Sequence, residues 1–265
     1  MNEKNKTKAT PNASPKKNNL AKKKNVYMSN DLARSRQGLT LSEKRLITLA
    51  MSTITATDTP INQFMRRTLI SNIHADEYAK RFNISTQAAY KEMRSAEEKL
   101  FDRHISFCQL KPSTNETIWT KMRWISTVRY HIGKGMLELV WNVDLAHHIS
   151  GLRSHFTTYS LDKMSKLRSI YSVRLFEILE SYKDIKKAVF DIDKFNDIME
   201  APEKFRSNFA QIRRRIIEPS VKEIIEKTGY IIQWDAIKTG KKVVQVCFEF
   251  DNALKSLPEC TRVED

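Results

Sequence analysis

Residues 207–250 read SNFAQIRRRIIEPSVKEIIEKTGYIIQWDAIKTGKKVVQVCFEF. Two periods follow one another in this stretch. From about Ser207 to Lys227 the apolar residues recur at helical spacing, with Phe209, Ile212 and Ile216 in one stripe. From Tyr230 the period drops to two. Tyr230 to Ile237 is one strand, Thr239-Gly-Lys-Lys242 a turn, and Val244, Val246, Phe248 and Phe250 alternate in a second strand. Three elements precede the long helix. They are a helix carrying Tyr171, Leu175, Ile178, Leu179 and Tyr182, a short strand over Ala188 to Asp191, and a short helix from Asp193 to Met199 with Asp193 as its cap.

The same order occurs once before. Thr40-Leu-Ser-Glu43 is a capping box, and Leu46, Leu49, Ala50 and Ile54 follow at helical spacing. Thr59-Pro60 ends or follows that helix. Thr68-Leu-Ile70 reads as a strand, His74 to Phe82 as a short helix, and Asn83-Ile-Ser85 as a turn with Ser85 as N-cap. A helix from about Thr86 to Leu100 carries Tyr90, Met93 and Leu100 on its apolar side. Three strand-like runs come next. Ile105 to Leu110 is the first, and Met122, Trp124, Val128, Tyr130 and Ile132 share one face of the second. Leu137, Leu139 and Trp141 alternate in the third, joined to the second by Gly133-Lys-Gly135.

Helix, short strand, helix, helix, hairpin is the order of a winged helix, a helix-turn-helix with a β wing. Finding it twice, about 120 residues apart, predicts an α+β chain of two tandem winged-helix domains. They are expected over 26–150 and 151–252, meeting near residues 145–160, with tails over 1–25 and 253–265.

Charge agrees with that reading. The 265 residues hold 46 Lys and Arg against 31 Asp and Glu, a net charge of +15. Residues 1–25 contain eight Lys and one Glu, and few apolar residues beyond Ala. Such a segment buries too little surface to offset its ordering entropy, so a disordered tail is expected. It is either a solubilising tail or an arm that touches nucleic acid. The remaining +8 points to a polyanionic partner, of which DNA and RNA are the commonest. Only 6 Gly occur, which disfavours a large all-β fold and the Gly-rich phosphate loops of nucleotide-binding enzymes. Apolar runs are far shorter than the roughly 18 residues that span a bilayer, so no membrane is expected. Cys108, Cys247 and Cys260 lie far apart, as in a reducing cytoplasm.

The second helix of each helix-turn-helix would enter the major groove. On the long helix, Ser207, Gln211, Arg214 and Glu218 face away from the apolar stripe, with Asn208, Arg213 and Arg215 on its flanks. Arg reads guanine bidentately, and Gln or Asn reads adenine. Three consecutive arginines cannot all face one way on a helix, so Arg214 is expected at bases. Arg213 and Arg215 are expected at phosphates or flanking bases. Pro219 should kink the helix or shift its start. In the first domain the corresponding surface is Thr86, Gln87, Lys91, Arg94 and Ser95, less basic and equally readable as a plain exposed face. The wing turns, with Lys134 and with Lys238, Lys241 and Lys242, suit phosphate contacts or simple solubility.

Several tempting constellations fail. His147-His148 are adjacent, whereas rolling-circle nickases space two His by one hydrophobic residue near a nucleophilic Tyr. Asp191-Ile-Asp193 sits where a strand meets a helix, a place for a cap rather than a metal. No P-loop, HExxH or GxSxG occurs. Trp119, Trp124, Trp141 and Trp234 lie in strand patterns, where packing is expected rather than base stacking. No catalytic activity, metal or cofactor is expected.

Asn30-Asp-Leu-Ala-Arg-Ser-Arg36 followed by Leu39-Thr-Leu-Ser-Glu-Lys-Arg-Leu46 resembles the opening of iteron-binding plasmid replication initiators. Phe156-Thr-Thr-Tyr-Ser-Leu161 and Ser169-Ile-Tyr-Ser-Val-Arg-Leu-Phe-Glu-Ile-Leu179 resemble that family's entry into its second domain. Phe209 to Ile224 resembles its C-terminal recognition helix. The resemblance runs from about 27 to about 250. It implies monomers that bind direct repeats at a plasmid origin and help open it. It implies dimers, joined mainly through the N-terminal domain, that repress their own gene or limit copy number. It further implies recruitment of host initiator and helicase proteins, and no cofactor. By position Arg213, Arg214 and Arg215 match the run that contacts iteron DNA, in the domain that is the main DNA reader. Pro219 fits the family pattern; the Lys-rich tail does not. A winged-helix transcriptional repressor with no initiator role would share this fold.

Overall fold

The structure, a computed structural model, describes residues 24–54, 69–111, 114–150 and 155–251. Thr59-Pro60, the first 23 residues of the Lys-rich tail, Cys260 and the C-terminal tail lie outside them. The first unit runs β1 (Asn25–Ser29), α1 (Asn30–Ala33), α2 (Leu41–Met51), β2 (Ile70–His74), α3 (Ala75–Phe82) and α4 (Thr86–Leu100). Then come the hairpins β3 (His104–Lys111) with β4 (Glu116–Arg123), and β5 (Ile125–His131) with β6 (Met136–Trp141), a 3-10 turn (Val143–Leu145) and α5 (Ala146–Ile149). The second unit runs β7 (Phe156–Ser160), α6 (Leu161–Met164), α7 (Ile170–Glu180), β8 (Lys187–Asp191), α8 (Ile192–Ile198) and α9 (Glu203–Arg206). It ends with α10 (Phe209–Ile212), a π-helical turn (Arg213–Ile217), α11 (Glu218–Thr228), and the hairpin β9 (Ile231–Thr239) with β10 (Lys242–Asp251).

The core sheets have orders β2-β6-β5 and β8-β10-β9. In each, the strand after the first helix pairs with the last strand of the wing. Both units are therefore winged helices of one topology.

Local chemistry accounts for most of these elements. Thr40 and Glu43 close the capping box of α2, with Thr40 N donating to Glu43 Oε2 at 2.8 Å. Ser85 Oγ accepts from Ala88 N at 3.1 Å and starts α4. The buried stripe of α4 is Ala89, Met93, Ala96 and Leu100, whereas Tyr90 is 41% exposed. Trp124 and Trp141 fill the first core, and each buried indole N–H is satisfied. Trp124 donates to Gln37 O at 2.9 Å and Trp141 to Ser71 Oγ at 3.0 Å. Phe195 and Phe248 stack at 5.7 Å in the second core.

Several expectations are corrected. The alternation from Met122 to Ile132 is two strands of two different hairpins, breaking at Trp124, and Ile132 is 85% exposed at the wing tip. Of the Thr68-Leu-Ile70 stretch, Thr68 lies outside the described residues, Leu69 is not in a strand, and Ile70 opens β2, which runs on to His74. The cap of α8 is Asp191, not Asp193, which lies in the first turn. Trp119 is 62% exposed on β4 and packs in no core. Ile54 and Tyr182 lie beyond the helices assigned to them.

The two units meet along a ribbon. β1 pairs antiparallel with β7, Asn25 opposite Ser160 and Ser29 opposite Phe156. Each strand runs into a one-turn helix, α1 or α6. Behind the ribbon, α2 and α7 meet across a buried polar cluster in which Lys44 Nζ lies 2.6 Å from Glu177 Oε1.

Candidate nucleic-acid interface

The long helix of the second unit runs without a gap from α10 through the π-helical turn into α11. Asn208 caps it, its Oδ1 accepting from Ala210 N at 3.0 Å. Ile212, Ile216 and Ile217 are fully buried, and Phe209 packs beside Trp234. Pro219 stands one turn past the arginines. It has no N–H to give the carbonyl four residues back, and its ring crowds that carbonyl, which belongs to Arg215. The backbone winds as a π-helical turn over Arg213–Ile217, and regular α-helix starts again at Glu218 with Pro219 in its first turn, the shifted start that Pro219 led one to expect. A π turn winds fewer degrees per residue than an α-helix, so three consecutive side chains spread over a narrower arc. Arg213, Arg214 and Arg215 are all exposed while Ile216 and Ile217 are both buried. Arg213 is held by Glu218, Nε to Oε1 3.1 Å. Among the described residues Arg214 and Arg215 have no side-chain hydrogen bond or ion pair. Ser207 and Asn208 are exposed and Gln211 is half-buried at the start of the same rod.

On α4, Thr86, Gln87, Lys91 and Arg94 are exposed and Ser95 is half-buried. Arg94 is paired with Glu97 at 3.0 Å and lies 5.0 Å from the centre of the Tyr130 ring on β5, which fixes its direction. Tyr90 rests against Gly135 at the wing turn, where an added Cβ would sit 2.4 Å from the Tyr90 hydroxyl. This contact of α4 with the wing is not legible in the sequence; a glycine at a turn is the only signal. Lys134 stands at the first wing turn, and Lys238, Lys241 and Lys242 at the second, all exposed.

Among the described residues no three His, Cys, Asp or Glu are grouped to hold a metal, and no helix is long and apolar enough to cross a membrane. His148 is buried, with Nδ1 2.7 Å from Ser29 Oγ, and burial first, then His147, pushes its pKa down to about 4. It is a neutral structural histidine.

Two winged helices in one chain, each presenting a polar or basic third helix and a lysine-bearing wing, define a DNA-binding protein of the winged-helix class. The chain belongs to the family of plasmid replication initiator proteins. Its residues 25–180, more than half of the chain, match the family described as initiator replication protein, WH1. Residues 191–250 match initiator Rep protein, WH2. An uncharacterized 27.6 kDa protein of Escherichia coli is 26% identical over 226 residues, spanning 84% of this chain and 93% of its own length. A replication initiation protein of Escherichia coli is 24% identical over 204 residues, 75% of this chain; the match spans 61% of that protein. Among solved structures, the Pi initiator protein in complex with iteron DNA shares the fold, with a TM-score of 0.72 and 22% identity over 87% of this chain and 98% of that one.

Proposed function

We propose that the chain initiates plasmid replication by binding direct repeats, iterons, at the origin as a monomer, helping to open the duplex and recruiting host initiator and helicase proteins. In this reading a dimer formed through the N-terminal domain represses the chain's own promoter. The protein acts in the cytoplasm on plasmid DNA and is no enzyme. One observation carries the reading: two reading helices of different composition are joined in one chain by a ribbon and a buried polar cluster. Such a molecule suits a long asymmetric site, where a simple dimeric repressor uses one helix per subunit on a palindrome. That the Pi initiator was solved on iteron DNA supports the same class of ligand here. Arg214 and Arg215, with Gln211, Ser207 and Asn208, are assigned to base edges, Arg213 to a phosphate or flanking base. Thr86, Gln87, Lys91, Arg94 and Ser95 are assigned to the second groove, and the wing lysines to phosphates.

Selection of bound DNA from a random pool, followed by footprinting, tests it. The expected result is one asymmetric motif of about two helical turns, protected across two adjacent major grooves. A short palindrome would instead favour the repressor. An origin plasmid carrying the selected repeats should replicate only when this protein is supplied.

A further inference from the structure

Two reading heads select a half-site spacing only if the distance and twist between them are fixed. The reading helices are tied to the unit boundary through their neighbours. α4 packs on α2, and α11 packs on α7. The joint between the heads is therefore the β1–β7 ribbon together with the contact behind it, where Lys44 of α2 meets Glu177 of α7.

That contact is polar and buried. The Glu177 carboxylate on α7 is fully buried and surrounded by donors. Its Oε1 accepts from Lys44 Nζ at 2.6 Å and from Tyr159 OH at 2.9 Å. Its Oε2 accepts from Gln37 Nε2 at 2.9 Å and from the Arg174 guanidinium. Lys44, equally buried, also donates to Gln37 Oε1 at 2.7 Å, and Arg174 donates to Ser35 O at 2.6 Å. A second carboxylate of the same unit, Glu200, accepts from Gln37 N at 2.7 Å and Gly38 N at 2.9 Å. Gln37 O in turn accepts from Trp124 in the first core. Two cations and two anions thus clamp residues 35–44 of the first unit to α7 and Glu200 of the second. An apolar interface of this size would hold the units together as well or better. What the charged one adds is direction. A small slide or twist of α2 on α7 breaks several short bonds at once and strands a buried charge, so the joint has one favoured register.

We propose that Glu177 and Glu200 are positioning residues for DNA recognition: through Lys44, Arg174 and Gln37 they fix the two reading helices in one phase, and so set the half-site spacing the protein accepts. The inference rests on the reading of both helices as DNA readers. One inserted base pair moves the second half-site by about 3.4 Å and turns it by about 35°, a change a locked joint cannot follow.

The test selects DNA from a random pool with full-length wild type, Glu177→Gln and Glu200→Ala, and measures affinity for the wild-type motif with one base pair inserted between its blocks. Wild type should enrich two blocks at one spacing and lose roughly tenfold or more on the insertion, the scale of a mismatched position. Each variant should keep the base preferences of both blocks, enrich neighbouring spacings, and lose less than about threefold on the insertion. A variant that melts cooperatively yet keeps the single spacing overturns the proposal. So does a folded variant that loses base preference in both blocks. If Glu177→Gln does not fold, Glu200→Ala, at the edge of the cluster, decides the matter by the same criteria. A wild type that enriches no two-block motif overturns the DNA-reading assignment itself, and the positioning role with it.

Discussion

Arg213 and Glu218 are ion-paired, Nε to Oε1 3.1 Å, across five positions of one helical rod. On a regular α-helix residues that far apart point in different directions, since neighbours stand three and four apart. They meet here because the turn between them is π-helical. Pro219 therefore does more than interrupt a pattern: it selects the winding that ties Arg213 back and leaves Arg214 and Arg215 open.

Pro219→Ala restores a backbone donor for the Arg215 carbonyl and lets the rod return to α winding. Thermal stability should hold or rise, since Pro is the poorest residue inside a helix. Discrimination between the selected repeat and random DNA should fall by about 1–3 kcal/mol, as expected when a base-reading side chain is turned away. Binding constants on both DNAs for wild type and variant decide it. Equal discrimination would mean the π turn plays no part in reading.

Arg214→Ala should cost about 1–3 kcal/mol on the selected repeat and much less on random DNA. A double change of Lys241 and Lys242 to Ala should weaken both DNAs alike and flatten the salt dependence, by roughly one in log–log slope per lost phosphate contact. Titrations across a range of salt concentrations separate the two classes. An Arg214→Ala loss of equal size on both DNAs would move that arginine to the phosphates.

The winged-helix order is legible in the sequence because its signals are local: a capping box at Thr40, a serine cap at Ser85, an alternating hairpin after Tyr230. What escapes is set by distant partners. Asn25–Ser29 carries no strand pattern strong enough alone; it becomes a strand by pairing with Phe156–Ser160. Alternation runs unbroken through Trp124 because no Gly or Pro marks where one hairpin ends and the next begins. On α2 the period gives a polar face at Lys44 and Thr48, yet every residue from Glu43 to Met51 is buried, because the second unit covers that face. The exposed arginines of the long helix are legible as a group. The π-helical turn they stand on is not, since a period of 3.6 assumes an α-helix throughout.

Gly135→Ala should disturb the contact between the wing and α4 in the first unit. The backbone there is left-handed, φ +57°, and the new methyl would meet the Tyr90 hydroxyl. The strained φ costs about 1 kcal/mol, and the displaced ring adds to it. Tyr90→Ala should remove that second part, so a double-mutant cycle on unfolding free energy should show positive coupling of about 0.5–1 kcal/mol. Additive losses would mean the ring swings clear without cost.

Acid should destabilise the protein through His148. Its pKa is held down near 4 in the folded chain, first by burial and then by His147, against an ordinary value of 6.5. A depressed folded value means the unfolded chain takes up the proton first. The contribution of this group to stability is therefore fully present above about pH 6.5 and is lost as the pH falls through 4. Carboxylates titrate across the lower part of the same window, and Glu177, held below its usual range by Lys44 and Arg174 against the opposing pull of burial, loses its contribution at lower pH still. The His148 share is isolated by comparison with His148→Asn, which keeps a polar partner for Ser29 but cannot take up a proton there. Urea midpoints measured between pH 7 and pH 4 should fall less steeply for the variant, by up to a few kcal/mol in unfolding free energy over the interval. Parallel curves would show that His148 is protonated as readily in the folded chain as in the unfolded one, and that its contact with Ser29 does not depend on the neutral ring.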